Sequence, residues 1–173
     1  MDLMPTPEQD AIRDSVRAFL DKELPMARVR ALMDAPAGAY DALWRGAAAL
    51  GFFALGLPEA GGGAGYTITE EMVLFEEIGR TLAPGPWLGT VLAAHALADA
   101  GVGDRLASVV AGELRVAACV DAWGGPLTVR GEHIAGTRRT VLGAGLADAF
   151  LLVDTAGVLF VPKDATVSVT GLS

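Results

Sequence analysis

The sequence predicts an α+β protein, with an all-helical N-terminal region followed by an incomplete, antiparallel, barrel-like β region. Three observations predict it. Apolar residues recur at helical spacing behind clear cap signals through the first half of the chain. From Arg115 onward the pattern changes to short β-type runs. Gly and Asp turns separate those runs at intervals of about ten residues. Helices first and strands afterwards means segregated elements or two adjoining domains. The expected division is residues 1–113 as a helical domain and residues 114–173 as the start of a β domain.

Composition agrees with a packed core. Of 173 residues, 52% are hydrophobic and 20% charged, which excludes a disordered chain. Aromatics are only 6%, so Ala, Leu and Val carry the apolar content and suit closely packed helices. The net charge of -8 makes nucleic acid and anionic membranes poor partners. The single cysteine, Cys119, excludes an internal disulfide framework and points to a reducing compartment. No basic region precedes an apolar one at the N-terminus, so no secretory signal is read. The longest apolar run, residues 47–57, is interrupted by Gly51 and Gly56 and falls short of the roughly 20 residues a bilayer span needs. A cytoplasmic location is expected.

Each element has its own warrant. Thr6-Pro7-Glu8-Gln9 reads as an N-cap, a proline at the first helical position and a capping box. Ile12, Val16, Phe19 and Leu20 then share one face, and Pro25 stops the helix. A second helix is expected over residues 40–50, with Leu43, Trp44, Ala47 and Leu50 inward and Gly51 as the stop. The glycines after Leu57-Pro58-Glu59 make a loop. Thr67 and Glu70 form another capping box, and Met72, Phe75, Ile78 and Leu82 are expected on the inner face of a third helix. A nearly all-apolar fourth helix covers residues 87–100, and a short fifth covers residues 104–111. Strands are expected at residues 116–120, 127–130, 140–142, 150–154, 158–161 and 166–169. The chain stops just past the last run, which leaves sheet edges unpaired, so the sequence is expected to end inside a domain.

Several local patterns invite a chemical reading. Gly143-Ala144-Gly145-Leu146-Ala147 matches a dinucleotide fingerprint, with Asp164 downstream. The next strand-like run starts too soon for a crossover of a dozen or more residues, so a tight turn is expected. The glycines at 61–65 lack the Lys and Ser/Thr of a phosphate loop. His95 and His133 have no second ligand at metal spacing, so structural roles are preferred and no metal site is assigned. Cys119 reads as a small core residue. Glu70-Glu71 and Glu76-Glu77 have the residue types of acid/base carboxylates, but a solvated helix face is the expected role. Composition and spacing support no particular chemistry.

Several segments, in order, resemble the N-terminal part of acyl-CoA dehydrogenases. They are Thr6-Pro7-Glu8-Gln9-Asp10-Ala11-Ile12-Arg13, Leu57-Pro58-Glu59 with Gly62-Gly63-Ala64-Gly65, and Glu76-Glu77-Ile78-Gly79-Arg80 with Pro84. Gly112-Glu113-Leu114 and Gly143-Ala144-Gly145-Leu146-Ala147-Asp148 complete the series. The resemblance implies an oxidoreductase that removes an α proton and a β hydride from an acyl-CoA thioester, with FAD as acceptor. It also implies that the catalytic Glu lies in a C-terminal helical domain outside this sequence, so no catalytic residue is assigned here.

The same resemblance places flavin contacts at Cys119, Val120 and Asp121 and at Thr140, Val141 and Leu142, with departures from the family pattern. Asp121 stands where the family has Thr, Thr140 where it has the Trp that packs on the flavin, and Leu142 where it has a hydrogen-bonding Thr. The FAD site is therefore degenerate and is expected to need a partner chain or the C-terminal domain. Two readings follow. In one, this is the N-terminal part of a dehydrogenase chain. In the other, it is a non-catalytic structural subunit of a hetero-oligomeric acyl-CoA dehydrogenase. Flavin oxidases and monooxygenases on the same fold are a third class. Homo- or hetero-oligomers with similar chains are expected.

Overall fold

The computed structural model describes residues 4–120, 127–131, 133–154, 157–163 and 167–170. Among these, six α-helices come first: α1 (Pro7–Glu23), α2 (Met26–Met33), α3 (Asp41–Ala49), α4 (Ile68–Arg80), α5 (Trp87–Asp99) and α6 (Gly103–Val110). The strands are β1 (Val116–Cys119), β2 (Thr128–Arg130), β3 (His133–Ala135), β4 (Ala149–Asp154) and β5 (Gly157–Pro162).

The expected α+β class is present, with a mixed sheet rather than a wholly antiparallel one. In the order β1-β4-β5, β1 and β4 run parallel, with Val116 opposite Ala149 and Cys119 opposite Leu152. The connection that holds the β2–β3 ribbon crosses over and brings β4 in along β1, which only a long connection permits. The hairpin β4–β5 is antiparallel. No closed barrel forms among the described residues.

Both capping boxes form. Thr6 Oγ1 accepts from Gln9 N at 3.2 Å, and Glu70 Oε2 accepts from Thr67 N at 2.9 Å. Gln9 Nε2 then donates to Glu70 Oε1 at 2.9 Å, so the two helix starts are bonded to each other. Pro25 ends α1 but also begins α2, a helix the periodicity does not announce; its carbonyl accepts from Arg28 N and Val29 N.

The helical core gathers Trp44, Phe53 and Trp87 into a cluster of mutual ring contacts, with Trp44 at centroid distances of 5.1 Å from Phe53 and 4.3 Å from Trp87, and Phe53 5.8 Å from Trp87. Val16, Leu20, Leu43 and Ala47 are buried beside it, whereas Leu50, expected inward, is exposed at the end of α3. The largest departure concerns α4. Ile78 is buried as expected and Phe75 half-buried, but Met72 is 64% exposed and Leu82 65%. In their place α4 turns Val73, Leu74, Glu71 and Glu77 inward. A second core joins α5 and α6 to β1 and β4 through Ala93, Ala94, Leu97, Val109, Val116 and Leu151. A third lies on the other face of the sheet.

Candidate functional site

The close approach of α5 to β1 follows from two neighbouring residues. A Cβ on Gly89 would stand 2.3 Å from Val116 O and 2.5 Å from Ala118 N, so only glycine fits there. Next to it, buried Thr90 accepts from Val116 N at 3.0 Å and donates to Pro86 O at 3.0 Å. The bond from Val116 N satisfies a buried backbone donor at the start of β1. The sequence motifs did not mark this pair, although a Gly-Thr step inside an apolar helix is a usable signal for a backbone approaching closely.

β1 delivers two of the expected flavin-facing residues. Cys119 is buried in the third core, and Val120, just past the strand, is 62% exposed. Asp121 lies outside the described residues. The segment 140–142 is not the strand its β-branched residues suggest. Thr140 adopts φ +57°, which breaks an extended run. Gly143 (φ +73°) follows, where a Cβ would stand 2.8 Å from Pro86 N. A short 3-10 turn, Ala144–Leu146, then sets Leu146 against the helical core. The fold thus seats the 140–146 loop on the turn before α5. It brings Val141 into the cluster that holds Cys119, while Leu142 is 77% exposed.

Three ionic arrangements tie separate elements of the fold together. Arg115 is the hub between halves: it reaches Asp148 Oδ2 at 2.9 Å, Asp41 Oδ1 at 3.0 Å and Ala37 O at 2.8 Å. Its side chain forms part of a 240 Å³ polar cleft that Asp41, Arg45 and Glu113 also line. Buried Glu77 takes hydrogen bonds from Arg17 at 2.6 Å and Arg80 at 2.6 Å, and Arg80 continues to Asp21 at 2.7 Å. The Arg17 bond, aided by Arg80, holds the Glu77 carboxyl below its ordinary range even though burial acts in the opposite direction. Glu71, also buried, pairs with His95 Nε2 at 2.7 Å. Gly56 makes room for this pair, since a Cβ there would stand 2.3 Å from Glu71 Oε1. The solvated-face reading therefore fails for Glu71 and Glu77. Both are enclosed because each meets a cation or imidazole from another helix. His133 lies on exposed β3. No group of three or more His, Cys, Asp or Glu side chains able to hold a metal occurs among the described residues.

Comparison with known proteins gives this arrangement a family. The sequence profile of the acyl-CoA dehydrogenase N-terminal domain matches residues 6–105. The chain belongs to the acyl-CoA dehydrogenase family. It is 37% identical over 106 residues to acyl-CoA dehydrogenase IpdE2 of Mycolicibacterium smegmatis, covering 61% of this chain and 34% of that protein. It is 31% identical over 167 residues to acyl-CoA dehydrogenase FadE34 of Mycobacterium tuberculosis, covering 87% of this chain and 23% of that one. The chain thus spans about a third or less of these curated relatives. Among solved structures, the ChsE4–ChsE5 complex from Mycobacterium tuberculosis superposes with TM-score 0.79 at 26% identity, over 99% of this chain and 52% of that one. A Tcur3481–Tcur3483 steroid ACAD superposes with TM-score 0.76 at 28% identity, over 90% and 48%.

FAD is the cofactor the family implies, and the described residues do not fit it as a self-sufficient site. At the positions expected to face the ring the fold presents hydrocarbon at Val120 and Leu142 and one hydroxyl at Thr140. None of these is the indole that would stack on the ring, and Leu142 offers no donor. No helix of the described residues is long and apolar enough to cross a membrane.

Proposed function

We propose that this chain is the helical and leading β part of an acyl-CoA dehydrogenase unit that works only in an assembly with another chain of the family. In that assembly FAD-dependent α,β-dehydrogenation of an acyl-CoA thioester takes place on a flavin held largely by the partner. Residues 1–113 act as the helical domain and residues 114–173 as the start of the β domain. Cys119, Val120, Asp121, Thr140, Val141 and Leu142 stand at the sequence positions that the family resemblance assigns to flavin contacts. The observation that carries the reading is the 140–142 segment, whose exposed Leu142 and left-handed Thr140 replace a stacking and hydrogen-bonding strand. Losing a ring contact and a hydroxyl donor weakens flavin binding by about 2–3 kcal/mol. Two solved neighbours are two-component assemblies by name, which supports the same reading.

What the chain's own residues do is position and exclude. Thr90 and Gly89 hold β1 against α5, so that the end of β1 and the 140–146 loop stay side by side. Val120, Val141 and Leu142 provide an apolar wall that keeps water away from a neighbouring ring. The acyl groups to try first are straight-chain and steroid CoA thioesters, the latter because one solved neighbour is a steroid ACAD.

The test is flavin content. The chain purified alone is expected to be colourless and inactive towards acyl-CoA, and to become part of a yellow, active complex when co-produced with a family partner. Stoichiometric FAD on the chain alone would overturn this reading and favour an autonomous cofactor site.

A further inference from the structure

The polar cleft beside Arg115 holds more hydrogen-bonding capacity than the fold uses. It has a volume of 240 Å³ and is lined by Asp41, Trp44, Arg45, Gly112, Glu113 and Arg115. None of the described residues assigned to flavin contacts lines it. Two guanidiniums and two carboxylates face it, so its own charges cancel. A lone anion or a lone cation therefore finds little net field there.

The bonds are unevenly shared. A guanidinium carries five N–H donors. Arg115 uses four, on both oxygens of Asp148, on Ala37 O and on Asp41 Oδ1, which leaves one on Nη2. Only 11% of that side chain is exposed, so the remaining donor has little access to bulk water. Arg45 makes only long contacts, from Nε to Asp41 O at 3.4 Å and from a terminal nitrogen to Asp41 Oδ2 at 4.0 Å. Glu113 is exposed, and its carboxylate meets no donor among the described residues. Trp44 adds a buried indole Nε1–H that has no acceptor among them. Gly112 brings these groups together. At φ +70° a Cβ would stand 2.9 Å from Trp44 O, so glycine lets the turn after α6 lie directly on α3 and set Glu113 in the same cleft as Arg45.

We propose that this cleft binds a small zwitterionic amino acid, with its carboxylate on Arg45 and the free donor of Arg115 and its ammonium on Glu113. The proposal stands apart from the flavin assignment. A dipolar molecule matches a site whose uncommitted groups are a cation and an anion while its net charge is zero. The volume equals the share of roughly eight water molecules at about 30 Å³ each, which suits a molecule of about that many non-hydrogen atoms. Both uncommitted side chains are solvated before binding, so the affinity belongs in the millimolar range.

The full chain is titrated with glycine, β-alanine and γ-aminobutyrate, which differ in the reach between ammonium and carboxylate. Tryptophan emission is followed because Trp44 lines the cleft, and the unfolding temperature because binding to the folded state raises it. At least one of the three should give a saturable change in both. Propionate and propylammonium each keep one charge, and should bind about tenfold more weakly or worse. Arg45→Gln and Glu113→Gln should each weaken the zwitterion by about tenfold. Lys22→Gln, at an exposed position on α1, should change nothing. Arg45 and Glu113 are exposed, so both variants keep the fold, and the single-charge analogues test the site without any substitution. Propionate binding as tightly as the zwitterions would overturn the proposal in favour of a plain anion site. No saturable change with any of the three, or a change that survives both substitutions, would overturn it as well.

Discussion

Glu70 is held at about 2, well below its ordinary 4.5, first by the hydrogen bond from Gln9 and then by those from Thr67. Its folded value lies below its unfolded one, so the unfolded chain takes up the proton first as pH falls. The stabilisation is complete above 4.5 and is eroded between there and about 2. Glu77 shifts in the same direction on its two arginines. Thermal unfolding followed from pH 7 downward should therefore show a falling midpoint in this acid range, and the fall should be shallower in Glu70→Gln. At neutral pH, Glu77→Ala should destabilise the fold, because it removes the acceptor shared by Arg17 and Arg80 and empties the space of a fully buried side chain. In contrast, Leu82→Gly should gain about 1 kcal/mol by relieving the left-handed strain at φ +52°; urea unfolding checks both. At this scale the sequence was readable where partners are near. Thr6 with Gln9 and Thr67 with Glu70 are three residues apart and form as read. Arg17 and Glu77 are 60 residues apart, and no local pattern could pair them.

Among the elements, the α5–β1 contact decides whether the strands are correctly placed on the helices. Thr90→Val should cost about 1–3 kcal/mol by leaving the buried Val116 amide without an acceptor, and Thr90→Ser should restore most of it. Gly89→Ala should cost about 3 kcal/mol, since the added methyl meets backbone that cannot rotate away. Hydrogen exchange at β1 amides would separate the two effects from global unfolding. The same scale shows why the faces of α4 were misread. Met72, Phe75 and Leu82 carry a hydrophobic period, but period alone does not say which partner covers it. Buried Glu71 and Glu77 displace it from the core by bringing His95 and two arginines with them. The strand expected at 140–142 failed for a different reason. Thr140 and Val141 have β propensity, but the loop must turn to seat Gly143 on Pro86, and that close approach outranks propensity. The family was legible through the order of the motifs, and the conformation of residues 140–142 was not.

For the molecule as a whole, the exposed apolar residues Val120, Leu142 and Val158 on the β side predict association. The isolated chain should bind an apolar dye and sediment as oligomers, and a dye-silent monomer would contradict this. The family profile covers residues 6–105, the part where cap signals and helical periods are densest. The β part is held to it by a different kind of bond, and that has a kinetic meaning. Arg115 meets Ala37, Asp41 and Asp148 across 78, 74 and 33 residues of chain. Such a lock cannot close until helices and strands have both found their places, so it belongs to the last stage of folding. Removing it with Arg115→Met should speed unfolding far more than it slows refolding. In that sense the guanidinium acts as a latch on the lifetime of the native state rather than as a guide to reaching it.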